Sequence, residues 1–453
     1  MIGRHVLVWG MARSGVAAAK LLNDAGAYVR INDLKTAEAL GDSMAPLKAE
    51  GIEWRLGEPV ENCLDGMDMM VISPGIPAEQ PAVALARSKG IEVIGEVELA
   101  YRLGRGHVVA VTGTNGKTTT TTLLGEIFKN AGRISYVVGN IGDPYSAYAS
   151  QMKDDDMVVC ELSSFQLETV DTFRPEISLI MNLTEDHLNR HHTMENYAAV
   201  KERVFMNQRG DDCVVLNYDD SITRGMAAHV KCRVVWFSRT QVPPEGAFVK
   251  DGLIMFGRSD APTPVCKVED VYIPGPHNLE NALAATAAAI CAGVPAPVVR
   301  HTLRTFHGVE HRIETVRVLD GVKYINDSKG TNPDSTVKAV ETMKEPTVII
   351  LGGSEKNSDF GKMCEVIRRN PITYAVLIGK TGERIGEALK AHGFTAFEYA
   401  GYDFEQAIRI ARAHAVTGGN VLLSPACASF DMFSDYEARG REFKRIVNEL
   451  KEA

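Results

Sequence analysis

The distribution of apolar residues along the chain predicts short strands that alternate with amphipathic helices. Residues 5–9 (HVLVW) form a β-rich run, the glycine turn GMARSG follows, and an amphipathic helix over 16–25 leads to a second β-rich run, YVRIND. The segments MDMMVISPG and IEVIGEVELA continue the pattern. Because strands that alternate with helices are typical of an α/β domain, we predict one such domain over residues 1–97.

A second series of strands and helices begins after the glycine-bearing stretch RLGRGH. It contains VVAVTG, DMVVCELSS and ISLIMNLTEDH, then a β-rich stretch from CVVLNYDD to AFVKDGLIMFG, and an Ala-rich helix that starts at HNLENALAA. The alternation resumes in VKYINDSKG, TVIILGG, TYAVLIG and NVLLSPACAS. We therefore predict a central domain over 98–308, with a parallel sheet plus a smaller β-rich part, and a third α/β domain over 309–453 with a mostly parallel sheet.

Composition and charge narrow the possible functions. The 453 residues are 45% hydrophobic and 24% charged, with a formal net charge of -9, so no general attraction to nucleic acid is expected. The eight cysteines show no C-x-x-C spacing, which indicates buried thiols in a reducing compartment. The first apolar run is too short for a signal sequence, and no 18-residue apolar span occurs. We expect a cytoplasmic protein without membrane insertion.

The segment TGTNGKTTT at 112–120 follows an apolar strand and precedes a helix. This order directs backbone N–H groups and a helix N-terminus at phosphate, while Lys117 supplies a positive charge and the Thr118 hydroxyl can bind Mg²⁺. The strict phosphate-loop pattern needs glycine at 111, where this chain has valine, so the motif is a variant. A Gly- and Thr-rich turn that only caps a helix is the alternative, but the order of elements favours nucleotide binding.

Charged residues follow two further apolar strands of the central region. Glu161 comes directly after MVVC, and Asp186 and His187 come after ISLIMNL. Ligands collect at the carboxyl ends of parallel strands, so these side chains are candidates for Mg²⁺ binding or proton transfer. Lys201 in YAAVKERVF lies on a predicted helix. Taken alone, each of these residues is equally well explained as a solvated surface residue without a function. This alternative is strongest for Lys201.

The turn GMARSG resembles a dinucleotide-binding turn only in part. Its glycines and Asp33, about twenty residues further on, approximate a dinucleotide-binding fingerprint. However, Ala12 replaces the glycine that lets the backbone approach a pyrophosphate, which weakens that interpretation.

The motifs taken together resemble those of the Mur ligase family over nearly the whole chain. The resemblance rests on an ordered series: GMARSG, TGTNGKTTT, GNIG, ELSSFQLE, NLTEDHLNRH, YAAVKERVF, PGPHNLENALAA, EHRIE, NDSKGTNP, GGSEKNSDF and SPACASFDMF. It implies a Rossmann-like N-terminal domain that binds a uridine diphosphate substrate, a central P-loop ATPase domain and a Rossmann-like C-terminal domain that binds an amino acid.

The resemblance also implies roles for individual residues. ATP would be held by Gly113, Thr114, Asn115, Gly116, Lys117, Thr118, Thr119, Asn278, Asn281, Arg312 and Asp327. Two Mg²⁺ ions would be held by Thr118, Glu161, His187 and Lys201, with the lysine modified to a carbamate by CO₂. The implied catalytic residues are Lys117, Glu161, His187 and Lys201. Substrate contacts would come from Arg13, Ser14, Asp33, Lys35, Ser73, Gly75, Asn140 and Asp186, and from Lys329, Thr331, Lys356, Ser429, Phe430 and Tyr436 for the amino acid.

The reaction that the resemblance implies is ATP-dependent addition of D-glutamate to UDP-N-acetylmuramoyl-L-alanine, through an acyl phosphate, by a monomer. A sister ligase for another amino acid, such as L-glutamate, and a folylpolyglutamate-type ligase remain alternatives. The segments GGSEKNSDF and SPACASFD stand where a diaminopimelate- or lysine-adding enzyme has D-N-P-R, which favours glutamate. A regulatory nucleotide-binding module without turnover is a third possibility, against which Glu161, His187 and Lys201 argue.

Overall fold

The structure is a computed structural model that describes residues 1–41, 44, 47, 51–354 and 358–452. The chain forms two compact units, Met1–Phe306 and His307–Ala453. Within the described ranges, no helix has both the length and the apolar character needed to cross a membrane.

The first unit begins with a five-stranded parallel sheet in the order β3-β2-β1-β4-β5. Its strands are β1 (His5–Trp9), β2 (Tyr28–Asp33), β3 (Glu53–Leu56), β4 (Met69–Ile72) and β5 (Glu92–Gly95). Central β1 is almost entirely apolar because helices cover both of its faces. The glycine turn therefore lies at the carboxyl edge of this sheet, directly after β1.

The second sheet of this unit has nine strands in the order β14-β13-β12-β11-β10-β9-β6-β8-β7. They are β6 (His107–Thr112), β7 (Ser135–Gly139), β8 (Met157–Glu161), β9 (Ile177–Ile180), β10 (Cys213–Asn217), β11 (Arg233–Ser238), β12 (Glu245–Lys250), β13 (Leu253–Arg258) and β14 (Thr263–Lys267). Strands β6–β12 pair in parallel, and β12–β14 are antiparallel. The smaller β-rich part that the sequence predicts continues the parallel sheet, since β12 pairs with β11.

The second unit contains a six-stranded sheet in the order β15-β16-β20-β17-β18-β19, parallel except for β15. Its strands are β15 (Glu314–Leu319), β16 (Val322–Asn326), β17 (Thr347–Gly352), β18 (Ile372–Ile378), β19 (Phe397–Gly401) and β20 (Asn420–Leu423). Apolar clusters on the two faces of this sheet bury helices against it. The α/β fold predicted from the sequence is confirmed.

Helices connect most of these strands. In the first unit they are α1 (Arg13–Asp24), α2 (Ala37–Leu40), α3 (Pro81–Ser88), α4 (Glu96–Leu103), α5 (Lys117–Asn130), α6 (Ser164–Leu167), α7 (Leu188–His191), α8 (Met194–Glu202), α9 (Ser221–Met226), α10 (Pro276–Cys291) and α11 (Ala296–Thr305). In the second they are α12 (Pro333–Thr342), α13 (Gly361–Arg369), α14 (Gly382–Ala391), α15 (Phe404–His414) and α16 (Tyr436–Glu449). Helix α1 begins three residues earlier than the apolar pattern indicates, because it starts at the glycine turn itself.

The eight cysteines, all within the described residues, are thiols and form no disulfide. Six are buried, as expected from their apolar surroundings, whereas Cys232 and Cys291 are partly exposed.

Candidate active site

The phosphate loop lies at the carboxyl edge of the nine-stranded sheet, between β6 and α5. Four adjacent strands end at this edge, since β6 pairs with β8 and β9, and β8 pairs with β7. Val111 stands opposite Glu161 in β8 and Leu179 in β9. The register therefore brings the loop, Glu161 and the segment after β9 to one place, as the sequence predicted.

Side chains and backbone groups of neighbouring segments hold the loop in shape. Lys117 Nζ donates to the carbonyl oxygens of Gly113 and Thr114, each at 2.9 Å. Asn182, after β9, accepts from the backbone N–H of Asn115 at 2.9 Å and donates to its carbonyl at 3.2 Å. The buried Thr118 and Thr119 open α5. This strand, loop and helix arrangement is the one that binds nucleotide phosphates.

Gly116, immediately before α5, has a left-handed backbone with φ 84°. A Cβ atom at this position would lie 2.3 Å from Oδ1 of Asn281, which is itself buried. Both features exclude larger residues, so glycine is required at the point where the loop turns into the helix.

Glu161 is the last residue of β8, and only 1% of its surface is exposed. Oε1 accepts a 2.8 Å hydrogen bond from Nδ2 of Asn140, whose backbone N–H also donates to the Glu161 carbonyl at 2.9 Å. Oε2 is buried and has no hydrogen-bond partner. A buried carboxylate oxygen without a partner is costly, so it requires a cation or a donor that binds with the nucleotide.

Lys201 is not the solvated surface residue that its position on a helix suggested. The residue is 1% exposed instead of solvated, because α8 packs beneath the phosphate loop. Its Nζ donates to Thr112 Oγ1 and to the Gly113 carbonyl, each at 3.0 Å. Burial lowers the pKa of Lys201 well below its usual value, and the charge of Lys117 acts in the same direction.

His187 and Asp186 lie on the exposed side of the same edge. The His187 side chain is 49% exposed, and its Nε2 lies 3.6 Å from Oδ2 of Asp186. The backbone of His187 is left-handed, with φ 53°, and its ring packs on Phe165 at 4.8 Å between centroids. A strained backbone at an exposed histidine is a common feature of functional sites.

Sequence reasoning missed several residues that build this edge. His191, for which the sequence predicts no role, is buried, and its Nε2 lies 2.9 Å from Ser164 Oγ. The Tyr197 hydroxyl lies 3.2 Å from Thr114 Oγ1. Tyr197 stands four residues before Lys201 on α8, and this helical spacing was the only signal available.

The two asparagines of α10 that are predicted to hold ATP lie next to the loop. Asn281 Nδ2 donates to Asn278 Oδ1 at 3.2 Å, and Asn281 Oδ1 accepts from Thr120 at 3.4 Å. Asn278 donates to the Pro274 carbonyl. Asn281 is therefore part of the wall behind the phosphate loop.

The turn after β1 brings together part of the predicted uridine diphosphate contacts. Asp33 accepts from the backbone N–H groups of Met11 at 2.8 Å and Lys35 at 2.9 Å. Ser73 donates to the Gly10 carbonyl at 2.7 Å. Arg13 and Ser14 begin α1 at this turn, and Gly75 lies in the turn after β4.

The second unit holds the remaining predicted residues. Asp327 follows β16, is buried, and accepts from Ser424 Oγ at 2.7 Å and from the Ile313 N–H at 3.2 Å. Burial raises the pKa of Asp327 to about 6. Arg312 lies next to Ile313 in the sequence, and its charge partly offsets that rise.

The residues predicted to bind the amino acid that the structure describes lie after the carboxyl ends of β16 and β20 in the six-stranded sheet. Lys329 Nζ lies 5.7 Å from the Tyr436 ring centroid, and the Thr331 N–H donates to the Lys329 carbonyl at 2.8 Å. Ser429 Oγ is buried without a hydrogen-bond partner, and Phe430 is 74% exposed. Lys356 lies outside the described residues.

The donor atoms around the phosphate loop fit Mg²⁺. A hard cation prefers oxygen ligands, and the loop offers the Thr118 hydroxyl together with the unpartnered Oε2 of Glu161. The fold and this edge define a P-loop nucleotide-binding protein of the α/β class.

Comparison with protein families identifies the class more closely. Residues 4–95 match the Mur ligase MurD-like N-terminal domain, residues 111–289 the Mur ligase middle domain, and residues 311–427 the Mur ligase glutamate ligase domain. The chain belongs to the Mur ligase family, whose members use ATP and Mg²⁺.

Relatives match over the full length. The UDP-N-acetylmuramoylalanine–D-glutamate ligase of Thermoanaerobacter sp. (strain X514) is 46% identical over 451 residues, which cover 99% of each chain. The enzyme of the same name from Clostridioides difficile (strain 630) is 44% identical, again over 99% of each chain.

Solved structures share the fold. MurC, the UDP-N-acetylmuramate-alanine ligase of Thermotoga maritima, superposes with a TM-score of 0.62 at 20% identity and covers 99% of this chain and 100% of its own. MurF of Acinetobacter baumannii also gives 0.62, at 16% identity, with 97% and 93% covered.

Proposed function

We propose that this chain is the ligase that joins D-glutamate to UDP-N-acetylmuramoyl-L-alanine at the expense of ATP. The observation that carries the proposal is the arrangement at the edge of the nine-stranded sheet, where a phosphate loop faces a buried carboxylate with an unpartnered oxygen. Full-length relatives that bear the name of this activity support the choice of amino acid. The occurrence of Glu161, His187 and Lys201 at the same edge argues against a module that only senses nucleotide.

The proposed reaction has two steps that balance. An oxygen of the L-alanine carboxylate attacks the γ-phosphorus of ATP, the bond from that phosphorus to the ADP oxygen breaks, and an acyl phosphate forms. The amine nitrogen of D-glutamate then attacks the acyl carbon, phosphate leaves, and the amine loses a proton. Lys117 stabilises the charge on the transferred phosphoryl oxygens. Asp186 and His187 are the candidate bases for the amine proton.

The metal part of the proposal assigns one Mg²⁺ to Thr118 and Glu161 and a second to His187 and a carbamylated Lys201. Bound Mg²⁺ neutralises phosphate charge. Lys201 fits a carbamate because it is buried beside the Gly113 carbonyl, where burial favours its neutral amine, the form that reacts with CO₂. As an ammonium it would repel a cation, whereas a carbamate adds oxygen ligands.

In the second unit, Lys329, Thr331, Ser429, Phe430 and Tyr436, with Lys356, are proposed to bind D-glutamate. Lysine charges suit the two carboxylates of this amino acid. The buried Ser429 hydroxyl without a partner supports the assignment, since a ligand oxygen would satisfy it.

Phosphate release tests the proposed function. The chain is incubated with UDP-N-acetylmuramoyl-L-alanine, ATP and Mg²⁺, and each of a panel of amino acids is added, including D-glutamate, L-glutamate, L-lysine and diaminopimelate. We expect release that depends on D-glutamate. Release with another amino acid and none with D-glutamate would identify a sister ligase.

The carbamate is tested with Lys201→Ala. The variant should lose activity, and acetate or bicarbonate should restore part of it by placing oxygen ligands in the space left by the side chain. Lys129→Ala, which removes an exposed lysine at the far end of α5, is the matched control and should be fully active. Full activity of Lys201→Ala would refute the carbamate.

A further inference from the structure

Arg190 connects the two sheets of the first unit through one nearly buried guanidinium group. Its Nε and Nη2 bind the two carboxylate oxygens of Glu168 at 2.9 and 2.5 Å. Nη1 donates to the Pro74 carbonyl at 3.2 Å and Nη2 to the Ile76 carbonyl at 3.3 Å. The face of the group lies 4.2 Å from the centroid of the Phe165 ring. The planar guanidinium group thus donates hydrogen bonds along its edges while one face packs on an aromatic ring.

These partners belong to different ends of the proposed substrate site. Pro74 and Ile76 lie in the turn after β4, with Ser73 and Gly75, the residues predicted to contact the uridine diphosphate. Phe165 and Glu168 lie in and after α6, the segment that follows Glu161 and so borders the phosphate site. One side chain therefore links the nucleotide-binding turn to the catalytic edge.

Arg190 also holds the segment that presents His187. It lies on α7, and its backbone N–H donates to the His187 carbonyl at 2.9 Å. The Phe165 ring contacts both the Arg190 guanidinium and the His187 ring. The bond to the His187 carbonyl comes from the backbone, so His187 keeps this support when the Arg190 side chain is replaced.

The cost of burying this ion pair points to a role beyond stability. The side chains of Arg190 and Glu168 are 14% and 13% exposed, and removing two charges from water costs free energy that their attraction only partly offsets. Apolar residues of similar volume would stabilise the packing at least as well. What the bidentate pair and two carbonyl bonds add is a defined direction and distance.

We propose that Arg190 is a positioning residue that sets the distance between the uridine diphosphate end and the reacting carboxylate end of the acceptor substrate. The proposal rests on the proposed function, because it concerns how binding of the nucleotide aligns that carboxylate. A misplacement of about 1 Å can cost about 100-fold in rate. Arg190 touches neither reacting group, so its effect should appear only when the substrate spans both ends.

The test compares two acceptors: UDP-N-acetylmuramoyl-L-alanine and 1-phospho-N-acetylmuramoyl-L-alanine, which keeps the carboxylate but lacks the uridine and one of the two phosphates. In Arg190→Ala, kcat/KM should fall about 10- to 100-fold with the complete acceptor and less than about threefold with the short one. Arg190→Lys keeps the charge but loses the bidentate geometry, so it should show the same selective loss and serves if the alanine variant fails to fold.

Arg174→Ala is the matched control. Arg174 makes a bidentate pair with Asp212, at 2.7 and 3.0 Å, before the amino ends of β9 and β10, at the edge of the sheet opposite the site. The Arg174→Ala variant should leave the kcat/KM values for both acceptors unchanged within about threefold. Equal losses with both acceptors in the Arg190 variants, or no loss with either, would refute the positioning role. A wild-type chain that releases no phosphate with either acceptor would instead refute the proposed function.

Discussion

Replacing Gly116 by alanine should weaken nucleotide binding by an amount that the structure allows us to bound. The left-handed backbone, φ 84°, costs an L-residue about 1–2 kcal/mol. The new Cβ would also lie 2.3 Å from Asn281 Oδ1, and moving this buried amide breaks its hydrogen bonds with Thr120 and Asn278. A buried polar group left unsatisfied costs about 1–3 kcal/mol.

A matched substitution separates these two costs. Gly132 follows the other end of α5, has φ 75°, and has open space where a Cβ would lie. Gly132→Ala should therefore lose stability through the backbone alone, whereas Gly116→Ala should in addition distort the phosphate loop. Because ADP has to restore the native shape of the loop when it binds, this difference of about 1–3 kcal/mol should raise the ADP Kd about 5- to 150-fold in Gly116→Ala. The ADP Kd should be unchanged in Gly132→Ala.

Isothermal titration calorimetry with Mg²⁺ and ADP measures this difference. In an Asn281→Ala background the obstructing oxygen is absent, so Gly116→Ala should cost less there than in the wild-type chain. Equal ADP affinity in the wild type and Gly116→Ala, or the same loss in both glycine variants, would refute the claim that this turn shapes the phosphate site.

Three further predictions concern charge. Glu161→Gln keeps an amide oxygen for the Asn140 bond but loses the charge, so the Mg²⁺ concentration for half-maximal phosphate release should rise at least about tenfold; an unchanged Mg²⁺ titration would contradict this. Burial raises the pKa of Asp327 from 3.8 to about 6, so the folded chain binds this proton more tightly than the unfolded chain does. The free energy of unfolding should therefore fall by about 3 kcal/mol as pH rises from about 4 to about 6. Urea unfolding should show that fall in the wild type and a flatter profile in Asp327→Asn. Glu98→Gln should cost about 1–3 kcal/mol in the same assay, because Glu98 accepts from the backbone N–H groups of 171–173; wild-type stability would contradict that expectation.

Local patterns predicted much of the fold and half of the site. The strand, loop and helix around Lys117 follow from the order of apolar and small residues, and Glu161 follows from its place directly after a strand. Parallel pairing then brings strand ends together, which is why sequence reasoning could group these residues.

Burial and long-range bonds could not be predicted in the same way. Lys201 looks like a surface residue because its helical spacing contains no sign that α8 packs under Thr112, 89 residues earlier in the chain. Arg190 shows no signal at all, since its partners Pro74 and Glu168 are distant in sequence. The residues of the second unit that are proposed to bind the amino acid follow from the family resemblance alone, because isolated lysines and serines carry no pattern.

The most direct test of the central claim follows the oxygen atoms of the acceptor. UDP-N-acetylmuramoyl-L-alanine is prepared with ¹⁸O in both oxygens of the alanine carboxylate, and turnover with ATP, Mg²⁺ and D-glutamate is analysed by mass spectrometry. If the carboxylate attacks the γ-phosphorus and phosphate then leaves the acyl carbon, each phosphate released carries one ¹⁸O and the amide product retains the other. Unlabelled phosphate, or phosphate released without an amide product, would contradict the account.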